Sequence, residues 1–397
     1  MFATLLAVVL AGFSSCGSSK EEDVISGTGD IPSYDGYKYS ELTISQQKEK
    51  LQDDADSFLS EIQDLKTNKG IDLLSEFSRL LEINSPKISK VSLRSASDIL
   101  KISDMYGIYT WNKSKKDWDY LASTKELAFN FPVDNQEGKI VVSGKDSGVT
   151  FALDDEDYLS EYPEDYDYGY VDIPKEVSAS LYLDATLVGS VQGKTNVSGT
   201  NKIPSLSEVS FVLDNYTLTA NMTKGNPNVA NFSLKKGSKI LIEATGNLSG
   251  NVDDAMSDES SIGNGNMVIK ILENKLAFAG TVDFEKYFKA LNEADEKWDV
   301  DYEQGGYELA DENFTKAEVK AFNDYYNLFL VSLEDQTKIA TLKQKAKEVS
   351  YGWGYYYWDA IAMLKFNDST EVEAEVFFSE GFDFILNKWK EFINGFE

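Results

Sequence analysis

The densest chemistry in the sequence is carboxylate. Between positions 154 and 172 stand Asp154, Asp155, Glu156, Asp157, Glu161, Glu164, Asp165, Asp167 and Asp172, interleaved with Tyr158, Tyr162, Tyr166, Tyr168 and Tyr170, without one basic residue. Carboxylates so close repel one another, and a hard divalent cation such as calcium relieves this through about six to eight oxygen ligands. Asp154, Asp155, Asp157, Asp165 and Asp167 are the candidate ligands. Their spacing matches no EF-hand loop, and a solvated acidic loop is the reading that the composition favours. Asp253-Asp254 with Asp258-Glu259 is a weaker stretch of the same kind. The second concentration is aromatic, Tyr351-Gly352-Trp353-Gly354-Tyr355-Tyr356-Tyr357-Trp358. Trp353, Tyr355 and Tyr357 alternate and could stack on sugar rings. A strand whose alternate rings fill the core competes with that reading and outweighs it.

Much enzymology is excluded by composition. The 397 residues include no histidine and one cysteine, Cys16. Without an imidazole there is no Ser-His-Asp or Cys-His nucleophile and no histidine-containing zinc site. One thiol makes no disulfide framework or four-cysteine metal site. Gly193-Lys194-Thr195 lacks the first glycine of a phosphate-binding loop, since position 188 is Val. Gly263-Asn264-Gly265-Asn266 reads as a turn between strands, with no strand-to-helix glycine pattern after it. With 67 acidic residues some pair falls at glycosidase separation in any fold, so their abundance is no evidence for one. No catalytic residue and no cofactor is assigned, and a non-enzymatic role is expected. The net charge of −29 opposes nucleic acid and anionic lipid surfaces.

Phe2 to Phe13 is an apolar run with the length of a signal-peptide core, shorter than the ~20 residues that cross a bilayer. It ends in Ser14, Ser15 and Cys16. Phe13-Ser14-Ser15-Cys16 resembles the lipobox of bacterial lipoproteins, with Phe where Leu is usual. Gly17-Ser18-Ser19-Lys20-Glu21-Glu22-Asp23 resembles the Lys-plus-acid export signal of surface-exposed Bacteroidetes lipoproteins. The resemblance implies that residues 1–15 are a signal peptide, that Cys16 is acylated, and that the protein is held by this lipid at the outer membrane, on the cell surface. Residues 16–40, with Gly27, Gly29, Pro32 and Gly36, read as a flexible tether.

Residues 41–397 read as the mature domain, divisible near 280–300. Ile44, Leu51, Ala55, Phe58, Ile62 and Leu65 form one helical stripe, and Ile71, Leu74, Phe77, Leu80 and Leu81 form a second that stops before Pro86. Together they predict an antiparallel helical pair. Period-two alternation starts near Met105. It covers Tyr109-Thr110-Trp111, Leu127 to a stop at Pro132, and Ile140 to Val142, and continues from Val177 to Val282. One face is apolar (Val209, Phe211, Leu213) and the other small and polar (Ser178, Ser180, Thr217, Thr219). Asp283 caps a helix bearing Phe288, and Thr315-Lys316-Ala317-Glu318 reads as a capping box opening another that bears Phe322. A third helix is expected over Lys338 to Val349. Strands at Ala360 to Phe366 and Val372 to Phe378 then precede a terminal helix with Phe382, Ile385, Leu386, Trp389 and Phe392.

The fold class is therefore α+β, a large antiparallel β meander packed by an N-terminal helical pair and C-terminal helices. That layout is loosely similar to the half-barrel lipoprotein carriers of the LolA type, which implies as an alternative a lipophilic ligand enclosed between sheet and helices. A glycan-binding surface lipoprotein is a further alternative. The first expectation is directly measurable. Cys16→Ala should abolish labelling by a fatty-acid analogue and release the protein from the membrane fraction. A labelled, membrane-bound variant contradicts it.

Overall fold

The computed structural model describes residues 31, 34, 36–86, 99–100, 102–152, 170–197, 204–253, 261–271, 275–352 and 355–379. Two helices open it, α1 (Ile44–Glu61) and α2 (Lys69–Ile83), joined by a 3-10 turn, Gln63–Thr67. The strands are β1 (Ile99–Leu100), β2 (Gly107–Asn112), β3 (Asp117–Ala122), β4 (Leu127–Val133), β5 (Gln136–Ala152), β6 (Tyr170–Leu183), β7 (Thr186–Asn196), β8 (Leu206–Leu213) and β9 (Tyr216–Thr223). They continue as β10 (Asn228–Lys236), β11 (Lys239–Gly250), β12 (Ile262–Ile271) and β13 (Leu276–Asp283). Helices α3 (Phe284–Asp295) and α4 (Trp298–Tyr325) intervene, followed by β14 (Tyr326–Ser332), β15 (Thr337–Gly352), β16 (Tyr355–Lys365), β17 (Glu371–Glu373) and the short α5 (Ala374–Ser379).

Among the described residues seventeen strands make one sheet. From β4 to β17 every strand pairs antiparallel with the next. At the β4 edge, β2 pairs parallel to β4 and antiparallel to β3, and β1 lies parallel to β6. The α+β meander read from the alternation is the observed class.

Because the strands alternate in direction, successive connections fall at opposite ends of the sheet. At one end they are tight. Val133 pairs with Gln136, Leu183 with Thr186, Leu213 with Tyr216 and Lys236 with Lys239, leaving two residues in each loop. Asp134, Asp184, Asp214 and Gly237 take positive φ there, a conformation that Asp tolerates better than most side chains and Gly adopts at no steric cost. The long connections, including α3 and α4, all fall at the other end.

The N-terminal helices do not pack on each other as an antiparallel pair. They lie end to end as a strap across the tight-turn end. Leu51 of α1 packs with Leu330, Ala340, Leu364 and Phe377, while Leu59 and Ile62 meet Tyr216 and Leu241. Leu73 and Leu80 of α2 pack with Phe129, Phe131, Ile140 and Leu181. Each stripe is thus spent on a different stretch of sheet, and neither helix has apolar surface left for the other. Thr43 caps α1 in a capping box with Gln46, and Asn68 caps α2 by accepting from the Gly70 and Ile71 amides. Gly70 lets α2 approach closely, because a Cβ there would stand against a Leu213 methyl and 3.0 Å from the Val188 carbonyl oxygen.

Ion pairs tie the strap to successive hairpins. Lys50 reaches Asp335 and Glu334, Lys275 meets Asp54 at 2.8 Å, Lys239 meets Glu61 at 2.8 Å and Lys236 meets Asp64 at 3.0 Å. Partly exposed pairs contribute about 0–1 kcal/mol each, whereas each buried Leu contributes about 1.5–3 kcal/mol. The apolar stripe holds the strap and the ion pairs set its register.

Several local expectations are corrected. Pro132 does not end β4, because the pairing with β2 stops at Asn130 and the missing N–H falls on an unpaired edge. Gly263 to Asn266 lie inside β12, where Gly265 leaves room for the Phe284 ring, 2.9 Å from where its Cβ would stand. Thr315 is not a cap. It is buried inside α4, which begins at Trp298 and bends at Gly306, φ 75°. Lys338 to Val349 is strand, since pairing with β14 and β16 overrides a helix-favouring composition whose lysines alternate at 343, 345 and 347. Val372 to Phe378 is strand only to Glu373. Leu213, expected with Val209 and Phe211 to face the helices carrying Phe288, Phe322 and Trp389, faces α2 of the strap. The expected terminal helix lies outside the described residues.

The expected tether is shortened as well. Tyr34 and Tyr37 pack against Val268, Ala277, Ala279, Phe329 and Val331 on the face opposite the strap, and residues 38 and 40 hydrogen bond to Lys338. Aromatic side chains there make residues 34 and 36–40 part of the folded domain. Covered from both sides, β14 is buried at every position from Leu328 to Ser332.

Truncating the strap should be costly while truncating an exposed strand residue should not. Leu73→Ala should lower unfolding free energy by about 2–5 kcal/mol in chemical denaturation. Leu121→Ala, 64% exposed, should stay within about 0.5 kcal/mol. Equal effects would contradict the strap's role.

Candidate functional site

Cys16 and the five candidate calcium ligands Asp154, Asp155, Asp157, Asp165 and Asp167 lie outside the described residues. Of that acidic stretch Asp172 is described, and it does structural work. Its buried carboxylate accepts the Ser147 amide at 2.8 Å and the Gly148 amide at 2.9 Å, closing a bulge in β5 where Gly148 has φ 80°. Asp253 of the second acidic stretch is ion-paired with Lys224.

Trp353 also lies outside the described residues. Tyr355 opens β16, Tyr356 is exposed and Tyr357 is half-buried, paired in register with Val349. Trp358 is turned to other use. Its amide donates to Asp311 at 2.6 Å and its ring sits 4.8 Å from the Lys316 ammonium, so α4 covers it. Next to it Glu318 faces Asp359. Burial, reinforced by the Asp359 charge, holds the Glu318 carboxyl above the usual carboxylate range, and burial with Glu318 nearby raises the Tyr287 phenol. Tyr287 stands edge-on to Tyr326, whose own phenol burial pushes up to about 12.

Among the described residues a concave feature lies at the long-connection end, on the face opposite the strap. Asn247 of β11 pairs in register with Asn266 of β12, Asn266 with Thr281 of β13, and Thr281 with Asn327 of β14. Register partners project to one face, so four adjacent strands present a row of three amides and a hydroxyl. In the neighbouring row, Val268, Ala279 and Phe329 are apolar and covered by Tyr34. The amide row is left open.

Above it is a cleft of about 710 Å³, with Ser249, Asn264 and Pro227 on one side and Asp283, Lys286, Asp324 and Tyr325 on the other. The second wall is where α3 starts and α4 ends. Asp283 caps α3, accepting the Lys286 amide at 3.2 Å and its ammonium at 2.7 Å, and the latter bond holds this carboxyl below its ordinary range. Asp324 is paired with Lys320. Asn266 Oδ1 is buried without a hydrogen-bond partner among the described residues.

Reasoning from sequence missed this row. The alternation marks these positions as polar, but their alignment depends on strand register across β11 to β14. One signal was present in Gly246-Asn247-Leu248-Ser249 and Gly263-Asn264-Gly265-Asn266, where asparagines and glycines recur at the ends of adjacent strands.

No family model, curated protein or solved structure matches the chain. Among the described residues no group of three or more acidic, His or Cys side chains is placed to hold a metal, and no helix is long and apolar enough to cross a membrane.

The Glu318 environment gives a pH test. A carboxyl with a higher pKa folded than unfolded is neutral in both states at low pH, and it destabilises the fold as pH rises from its unfolded value through its folded one. Glu318→Gln should therefore melt with the wild type near pH 3 and above it at pH 7. The same difference at both pH values would contradict this assignment.

Proposed function

We propose that the chain is a lipid-anchored bacterial surface lipoprotein with a non-enzymatic binding role, exercised at the long-connection end of its sheet. The observation that supports this most is the cleft beside Asn266. It is open, its row of amides and hydroxyl is held on rigid strands, and its carboxylates are already committed to lysines. Such a lining suits recognition, where fixed donors and acceptors orient a ligand in a site of about 300–1,000 Å³. The expected acylation of Cys16 supplies the membrane attachment, and the strap keeps the tight-turn end occupied with structure.

The carrier reading has one observation in its favour. On the strap face beyond the helices, Phe211, Leu218, Met222 and Phe232 are only half-buried. Native mass spectrometry of protein purified from its own host separates the two. The binding reading expects the acylated chain with no tightly held lipid beyond its anchor. One non-covalent lipid per chain would overturn it in favour of a carrier.

A further inference from the structure

We infer that the cleft is a site for a neutral, extended oligosaccharide, an inference that rests on reading this cleft as the binding site. Three properties carry it. The first is hydrogen-bonding chemistry. Asn247, Asn266 and Asn327 each bring an amide that both donates and accepts, and Thr281 and Ser249 bring hydroxyls. A polyhydroxylated ligand, whose every hydroxyl also does both, matches such a lining better than an anion, which only accepts, or an apolar chain, which does neither.

The second is spacing. The polar row places one side chain on each of four neighbouring strands, about 4.8 Å apart. That repeat is close to the one between successive pyranose rings in an extended glycan, so a chain running across the strands meets a fresh polar group at each residue. The cleft of about 710 Å³ has room for a short oligosaccharide, not only a single ring.

The third is charge. Lys286, the cation of the lining, is engaged by Asp283, and Asp324 is engaged by Lys320. An anionic sugar finds no uncommitted positive group in this lining, and the net charge of −29 opposes its approach. Tyr325 adds an aromatic ring at the wall, and Asn266 Oδ1 is an acceptor without a hydrogen-bond partner among the described residues.

The test is titration calorimetry of the full mature chain against cellohexaose, xylohexaose, maltohexaose and chitohexaose, with hexagalacturonic acid as the anionic comparator. At least one neutral oligosaccharide should bind and the comparator should not. Asn266→Ala should weaken binding about tenfold, the effect of losing one buried polar contact. Asn264 is exposed, so Asn264→Asp preserves the fold and should weaken binding of the neutral ligand less than Asn266→Ala does. Thermal melting checks that both variants are folded. Neutral binding that neither variant alters would overturn the site while leaving a binding role intact. Preference for the acidic comparator, lost in Asn266→Ala, would overturn the ligand class and keep the cleft. If no oligosaccharide binds at millimolar concentration, the inference is wrong.

Discussion

Among the described residues one sheet of this width has two faces and no second sheet to bury either, and the architecture answers that constraint. The strap is the main answer. By lying across strands at their tight-turn end, α1 and α2 reach three separate core clusters that no single hairpin could join. The turns must be short for this to work, since a long loop at that end would stand where the helices lie. Asp134, Asp184 and Asp214 make such turns possible, and with them the contact between hairpin ends and strap. Hairpin and helix are therefore mutually dependent. Without the strap, the apolar residues of adjoining strands would be left facing water.

The opposite face is treated differently along its length. Where Tyr34 and Tyr37 cross it, residues from β12 to β14 are apolar. Two residues further from the strap, the same strands carry amides and a hydroxyl. A two-residue step along a strand keeps the face and changes the depth, so cover and cleft are consecutive rows of one surface. The glycine at 280 belongs to the same region, where an added Cβ would collide with the Asn327 backbone of the next strand. Burial and polar display are thus separated by position along the strands, with burial at the strap end and polar side chains at the other.

The strands and their two-faced character were legible because period-two alternation is local. Helices α1, α2 and α3 were legible from their stripes and caps, and Asp283 does cap α3. What failed was information that the segment itself does not contain. Lys338 to Val349 has the composition of a helix and becomes a strand because β14 and β16 supply partners on both sides. The two N-terminal stripes read as complementary to each other, although each was complementary to a different part of the sheet. The cleft failed for a related reason. Asn247, Asn266, Thr281 and Asn327 span 80 positions and become neighbours only through register, which alternation does not set by itself. The aromatic run was read as two alternatives, and among its described residues Trp358 is held under α4 while Tyr356 is exposed.

The contacts of the strap also follow the order of the chain. Its C-terminal end meets residues close in sequence, with Asn84 bonded to Asp117 across 33 positions. Moving back along it, Asn68 meets Leu213 across 145 positions, Glu61 meets Lys236 across 175, Asp54 meets Lys275 across 221, and Lys50 meets Asp335 across 285. The separations rise without a reversal. As strands are added in order, each new hairpin finds the next upstream stretch of strap already beside it, tethered by the hairpin before. The loop that must close at each step is short in space although long in sequence, so its entropic cost is set by one hairpin and not by the full separation. A fold dominated by distant contacts can in this way be laid down by a succession of near ones.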